Sequence, residues 1–158
     1  MTEPSQQSAE ELMERDFLAA HEPFVLFSKW MAQAEAREPR DANAMALATV
    51  DAAGLPNVRT VLLKNYGPQG LVFFTNAESS KGIELNTSGK AAIVLYWKSL
   101  NRQIRARGKI VAVDDAESDA YFASRAREAQ IGAWASQQSR ALSSRAEFEA
   151  AIKKMEER

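Results

Sequence analysis

Cysteine is absent from the 158 residues. That removes disulfides, cysteine-ligated zinc, iron–sulfur clusters and thiol nucleophiles from consideration, and it fits a reducing, cytoplasmic setting. Histidine occurs once, as His21, ahead of Glu22-Pro23. A single imidazole leaves a two-histidine metal site and a Ser-His-Asp triad without support, and its place at a helix junction reads as a cap or a solvated residue. Charge of one sign is lacking too: 20 Lys and Arg stand against 21 Asp and Glu, a net of −1. Nothing global draws the chain to a polyanion or an anionic membrane, so an anion site has to be local. No stretch approaches the run of about 18 apolar residues that a membrane span needs. Gly-x-Gly-x-x-Gly and Walker loops are missing as well, which leaves the nucleotide-binding α/β folds without local support. If the chain performs redox or group-transfer chemistry, a bound organic cofactor has to carry it.

What is present is apolar material for one core: 46% of the residues are hydrophobic, in a length that suits one domain. We expect residues 1–20 to be a polar N-terminal segment, disordered to about residue 7, with a short helix opened by the capping box Ser8-Ala9-Glu10-Glu11 and carrying Leu12, Met13 and Phe17. Residues 21–158 form the domain. Pro23 opens a helix on which Phe24, Phe27, Trp30, Met31 and Ala34 recur at helical spacing, a core face.

The period then changes. Ala44 to Val50, Val58 to Lys64, Leu71 to Thr75, Ala91 to Trp97 and Gln103 to Val113 read as strands, joined in part by the turn segments Asp51-Ala52-Ala53-Gly54 and Tyr66-Gly67-Pro68-Gln69-Gly70. Five strands so close in sequence predict a compact antiparallel sheet, and closing it into a barrel would remove its edges. Helices return at Asp114-Asp115-Ala116-Glu117, near Glu128 to Ala135, and at the Ser144-Arg145-Ala146-Glu147 box, where Phe148, Ile152 and Met155 line one side.

Two places could bind an anion. Ser79-Ser80-Lys81-Gly82-Ile83-Glu84-Leu85 predicts a short helix with a lysine in its first turn, where the macrodipole opposes it; an anion held by free backbone N–H groups would explain that, and so would a solvated lysine. Arg59-Thr60-Val61-Leu62-Leu63-Lys64 is a strand with a cation at each end, and burial of either charge would be prohibitive unless paired, so both belong at the rims. Alternation places Arg59 and Lys64 on opposite faces. Either a bulge re-aims one, or the two address different groups of a ligand wrapped around the strand end.

These two segments, together with Phe73-Phe74-Thr75-Asn76, Asn101-Arg102-Gln103, Tyr121-Phe122-Ala123-Ser124-Arg125, Gln130-Ile131-Gly132-Ala133-Trp134 and Ser136-Gln137-Gln138-Ser139, resemble the pyridoxamine 5′-phosphate oxidase family in order and spacing over nearly the whole chain. The resemblance implies a mainly β fold with flanking helices, a Greek-key-like FMN-binding split β-barrel, assembled as a homodimer with FMN at the interface. It implies oxidation of pyridoxamine or pyridoxine 5′-phosphate to pyridoxal 5′-phosphate with oxygen as acceptor, by hydride transfer from the substrate C4′ to flavin N5. By the same resemblance, Arg59 and Lys81 hold the FMN phosphate with Thr75 and Ser139, Val61 and Leu62 line the flavin, and Gln103 and Gln138 meet its ring system. Thr60, Leu63, Lys64, Phe74 and Ser80 fall in the matching cofactor segments. Lys64, Tyr121 and Arg125 grip the substrate phosphate, with Ala129 alongside.

Three departures accompany the match. Ser80 stands where the family has an arginine, Ala129 stands where it has a serine, and the chain ends at Arg158 before a family segment that carries a Trp and an Arg near the flavin and an Arg-x-His group over the substrate. The alternative reading is therefore a flavin-binding protein with lost or altered oxidase activity. A nucleic-acid-binding barrel, drawing on Arg102, Arg105 and Arg107 with Tyr96 and Trp97, ranks below both because the chain is not basic. Exposed Tyr96, Trp97 and Trp134 and the Phe148/Ile152/Met155 stripe are the expected dimer surface.

Overall fold

The computed structural model describes residues 22–157. The Ser8 capping box, its helix and His21 lie outside them. Helix α1, Pro23–Arg37, starts with proline at its first position, where a missing N–H costs nothing, and buries Phe27, Trp30, Met31 and Ala34 as the spacing predicts, while Phe24, expected with them, is half-buried. Strands β1 (Ala44–Val50), β2 (Pro56–Leu62), β3 (Asn65–Gly67) and β4 (Gly70–Val72) follow, then α2 (Ser80–Ser88), β5 (Lys90–Trp97), a 3₁₀ turn (Lys98–Leu100) and β6 (Arg102–Lys109). The chain closes with α3 (Asp115–Ser124), α4 (Arg127–Ala135) and α5 (Arg145–Glu156). The result is a mixed α/β architecture with antiparallel sheets. One sheet has the order β2-β1-β5-β6, and β3 pairs with β4 in a hairpin, Gly67 opposite Gly70.

Several boundaries differ from the sequence reading, each for a local reason. The strand through Arg59 stops at Leu62, because Asn43 takes both peptide groups of Leu63: its carbonyl accepts from Leu63 N at 2.9 Å and its side-chain Nδ2 donates to Leu63 O at 2.8 Å. Lys64 thus lies beyond the strand, and alternation from Arg59 does not reach it. Of the expected strand Leu71 to Thr75 only Leu71 and Val72 are extended, at the end of β4; the segment read as a turn holds most of a tight hairpin, β3 and the start of β4 around Pro68-Gln69, and Phe73 to Asn76, read as a strand end, lies outside regular structure. The last strand ends at Lys109, short of Val113. Two of the three final helices begin where the caps predict: Asp114 and Ser144 accept from the N–H groups of Glu117 and Glu147 at 2.7 and 3.2 Å, whereas α4 follows Ala126 with no side-chain cap.

The chain divides into two compact units, and each of β1, β2, β5 and β6 contributes residues to both. The first comprises the described residues up to Leu47 with Arg59–Phe73 and Ala92–Ala106. It holds the apolar cluster of Phe27, Met31, Met45, Leu63, Leu95 and Trp97, with Phe27 edge-on to Tyr66 at 4.6 Å. Trp97, expected on a dimer surface, is 1% exposed and donates its indole N–H to Ala42 O at 2.6 Å. Arg102 is buried too, with its guanidinium 4.6 Å over Trp30 and donating to Gln33. The strand face expected to offer Arg102 and Trp97 to nucleic acid therefore offers neither.

The second unit comprises Ala48–Val58, Phe74–Ala91 and Arg107–Arg158. Its helices α4 and α5 pack together, with Phe148, Ile152 and Met155 half-buried. None of the described helices is long and apolar enough to cross a membrane.

Candidate functional site

The start of α2, in the second unit, brings together Ser79, Lys81 and Gln138. Ser79 is fully buried, and its hydroxyl is used three ways: it donates to Asn76 O at 2.6 Å and accepts from Gly82 N at 3.3 Å and from Lys81 Nζ at 3.0 Å. The N-cap thus also aims the lysine. Lys81 Nζ reaches Gln138 Oε1 at 2.7 Å, so a residue of the Ser136–Arg140 turn meets the helix start. Gly82 permits this closeness: a Cβ there would lie 2.3 Å from Ala77 O and 2.6 Å from Asn76 O. The first turn of a helix leaves backbone N–H groups without intrahelical partners; Gly82 N–H here goes to Ser79 Oγ, and the N–H groups ahead of it, beside the Lys81 ammonium, make a donor set suited to a phosphomonoester dianion.

Two clefts of the second unit bear on the residues singled out. One, of about 370 Å³, is lined by Asn76, Glu78, Phe122, Trp134, Gln138 and Arg140 among others. The other, of about 310 Å³, is lined by Phe122, Arg127, Gln130, Ile131, Trp134 and Met155. Trp134, 62% exposed, stands edge-on to Phe122 with centroids 5.9 Å apart and borders both. Arg140 pairs with Glu78 at 3.4 Å on the rim of the first, and Ser139 beside it holds φ 68°, a conformation that costs a non-glycine residue strain.

Of the other residues singled out by sequence, Tyr121 stacks on Phe74, rings 3.8 Å apart and 6° from parallel. Arg125 lies 5.8 Å from the Phe122 ring, and its carbonyl accepts from Gln130 Nε2 at 2.7 Å. Ala129 is half-buried on α4, and Thr75, Ser80 and Ser139 are exposed. These belong to the second unit.

In the first unit, Arg59 is half-buried and donates from Nη1 to Leu47 O at 3.1 Å, sharing a strand face with Val61, while Thr60 and Leu62 face the other way. Lys64 is exposed, with its N–H bound to Val72 O at 2.8 Å. Leu63 is packed in the apolar cluster, and Gln103 is exposed at the start of β6. Gln138, read by resemblance as a partner of the flavin ring, accepts from Lys81 Nζ, the lysine read as a phosphate ligand.

Sequence reasoning missed Ser79's triple role, the Gly82 contact and a hydrogen-bonded group of buried Glu84 and Thr49 with exposed Asn57. One signal was available: Thr49 continues the inward positions Met45 and Leu47 of β1, and an inward hydroxyl calls for a buried partner.

An antiparallel sheet flanked by helices, with a cation and hydroxyl at a helix start, defines a small α/β ligand-binding fold. Comparison with known proteins narrows this. Residues 31–158 match the family model described as pyridoxamine 5′-phosphate oxidase. The pyridoxine/pyridoxamine 5′-phosphate oxidase of Rhodopseudomonas palustris (strain HaA2) is 54% identical over 155 residues, covering 98% of this chain and 73% of that protein. Among solved structures, PhzG from Burkholderia lata 383 in complex with tetrahydrophenazine-1-carboxylic acid is 30% identical with a TM-score of 0.81, over 87% of this chain and 68% of that one. A pyridoxamine 5′-phosphate oxidase-related, FMN binding protein from Nostoc punctiforme shares the fold at a TM-score of 0.60 and 23% identity, over 77% and 68% of the two chains. The chain belongs to the pyridoxamine 5′-phosphate oxidase family.

Proposed function

We propose that this chain binds FMN with the cofactor phosphate at the start of α2, and serves the oxidation of pyridoxamine or pyridoxine 5′-phosphate to pyridoxal 5′-phosphate with oxygen as acceptor. The observation that carries the reading is the placement of Lys81, fixed by Ser79 and Gln138 beside the first-turn N–H groups. FMN, when bound, supplies the hydride-accepting ring that no side chain here provides. The chain supplies position: Lys81 and the helix start hold the phosphate, and Gln103 gives an amide for the polar edge of the ring. Tyr121 and Arg125 offer a hydroxyl and a guanidinium to the substrate phosphate. Homologues under the same enzyme name support this, as does the FMN-binding neighbour of the same fold. In this reading the protein works as a cytoplasmic homodimer, which sedimentation at low micromolar concentration tests.

The experiment for the cofactor is direct. Purified protein should be yellow and release FMN, not FAD, on denaturation; colourless protein that cannot be reconstituted with FMN sinks the proposal. A second reading, altered oxidase activity, is favoured by Ala129, which removes a hydroxyl from the substrate side, and by PhzG, whose structure holds tetrahydrophenazine-1-carboxylic acid. Oxidase assay of the flavin-loaded chain with pyridoxamine 5′-phosphate separates the two.

A further inference from the structure

Glu84 is a charged residue where a hydrophobic one would be expected. It is 9% exposed on a short helix whose neighbour Ile83 is 58% exposed, so α2 turns its carboxylate inward and its isoleucine outward. Both carboxylate oxygens are engaged, by different strands of the same unit: Oε2 accepts from Thr49 Oγ1 on β1, and Oε1 accepts from Asn57 Nδ2 on β2 at 3.1 Å. Thr49 is itself 2% exposed.

Taking a carboxylate out of water is costly, and an apolar side chain of similar size would stabilise the contact as well or better. What directional bonds to two strands add is geometry. A leucine in that place would let the helix slide and rotate, whereas a carboxylate bonded at both oxygens fixes its distance and its rotation. Lys81 is three residues earlier, on the same helix face and within one turn, about 5 Å along the axis. Rotation that misplaces Glu84 therefore misplaces Lys81 and the first-turn N–H groups by a similar amount. Gly82 presses the same turn against Asn76 and Ala77 from the chain that enters the helix. The start of α2 is thus held from two sides.

We propose that Glu84 is a positioning residue for phosphate recognition: it clamps α2 to β1 and β2 at the rotation that presents Lys81 and the helix N–H groups to the cofactor phosphate. The inference rests on reading the α2 start as the FMN phosphate site. A residue that merely supported the fold would affect flavins with and without a phosphate alike, whereas a positioning residue affects only the first.

The test is equilibrium binding of FMN and of riboflavin, followed by quenching of flavin fluorescence, with melting temperatures measured on the same samples. The unsubstituted protein should prefer FMN. Glu84→Ala should weaken FMN about tenfold, the worth of a lost charge-assisted contact, and change riboflavin by less than about twofold. Glu84→Gln, which keeps one acceptor but turns an NH₂ toward the other donor, should fall between. If Glu84→Ala fails to fold, Asn57→Ala decides, since Asn57 is exposed and its loss removes one of the two strand bonds; a smaller, FMN-only loss is expected. Equal losses for both flavins, or FMN affinity unchanged in every variant, overturn the proposal. An unsubstituted protein that binds the two flavins equally overturns the phosphate-site reading itself, and the clamp with it.

Discussion

Arg102 aside, the described residues that the two units bury differ in kind. Phe27, Met31, Met45, Leu95 and Trp97 fill the first, all at 7% exposure or less, whereas the buried residues of the second include Thr49, Ser79, Glu84 and Gly82, with Leu85 as its large apolar one. The first has the apolar area that stabilises a fold. The second has directional polar bonds, two clefts and an exposed tryptophan, features that stabilise little and specify much. On the proposed reading of the α2 start as the FMN phosphate site, stability and phosphate recognition rest on different residues, and substitutions should sort accordingly.

The largest effect should come from the first unit. Trp97→Ala removes a fully enclosed indole and orphans Ala42 O, and should destabilise the protein by about 3–5 kcal/mol in a denaturant melt. A loss under about 1 kcal/mol would break the contrast. In the second unit, Gly82→Ala should act through backbone rather than area. A methyl group 2.3 Å from Ala77 O forces the helix start away from the preceding turn, at about 1–3 kcal/mol. FMN affinity should fall with it.

Lys81→Ala should sharpen the contrast from the other direction, leaving the melt nearly unchanged while weakening FMN by about 1.5–3 kcal/mol, one charge-assisted bond to a dianion. Gln103→Ala should cost the same ligand only about 1 kcal/mol, the worth of a neutral bond. Equal losses in titration would count against assigning Lys81 to the phosphate.

The apolar half of this division was legible in the sequence and the polar half only partly. Period alone located α1 and its four buried residues, because tight packing of a helix face leaves a regular trace. The caps at Ser79, Asp114 and Ser144 were legible for a similar reason: a local bond needs a particular residue at a fixed offset. The end of β2 at Leu62 was not, since it depends on Asn43, 20 residues earlier in the chain. Trp97 was misjudged as surface because alternation assigns a face but not which face is covered. Lys81 could be singled out by its conflict with the helix dipole. Glu84 could not, because its partners lie 35 and 27 residues away, and a glutamate on a short helix looks solvated until the strands beneath it are placed.

The smallest effect should be at the rim of the larger cleft. Arg140 and Glu78 pair at 3.4 Å with side chains 56% and 80% exposed, so water and salt screen the charges and each long side chain loses freedom to hold the geometry. A double-mutant cycle with Arg140→Ala and Glu78→Ala at physiological ionic strength should give a coupling of less than about 0.5 kcal/mol, shrinking further in added salt. Ser139, adjacent to Arg140 and held at φ 68°, gives one reason to expect more: if the ion pair is what keeps the turn strained, releasing it would change the turn's conformation. Stability would then barely move, but the Gln138 contact to Lys81 would loosen and FMN affinity would respond. A coupling above about 1 kcal/mol in the melt would instead place real stability on the second unit's surface, and the division between a stabilising unit and a recognising one would fail.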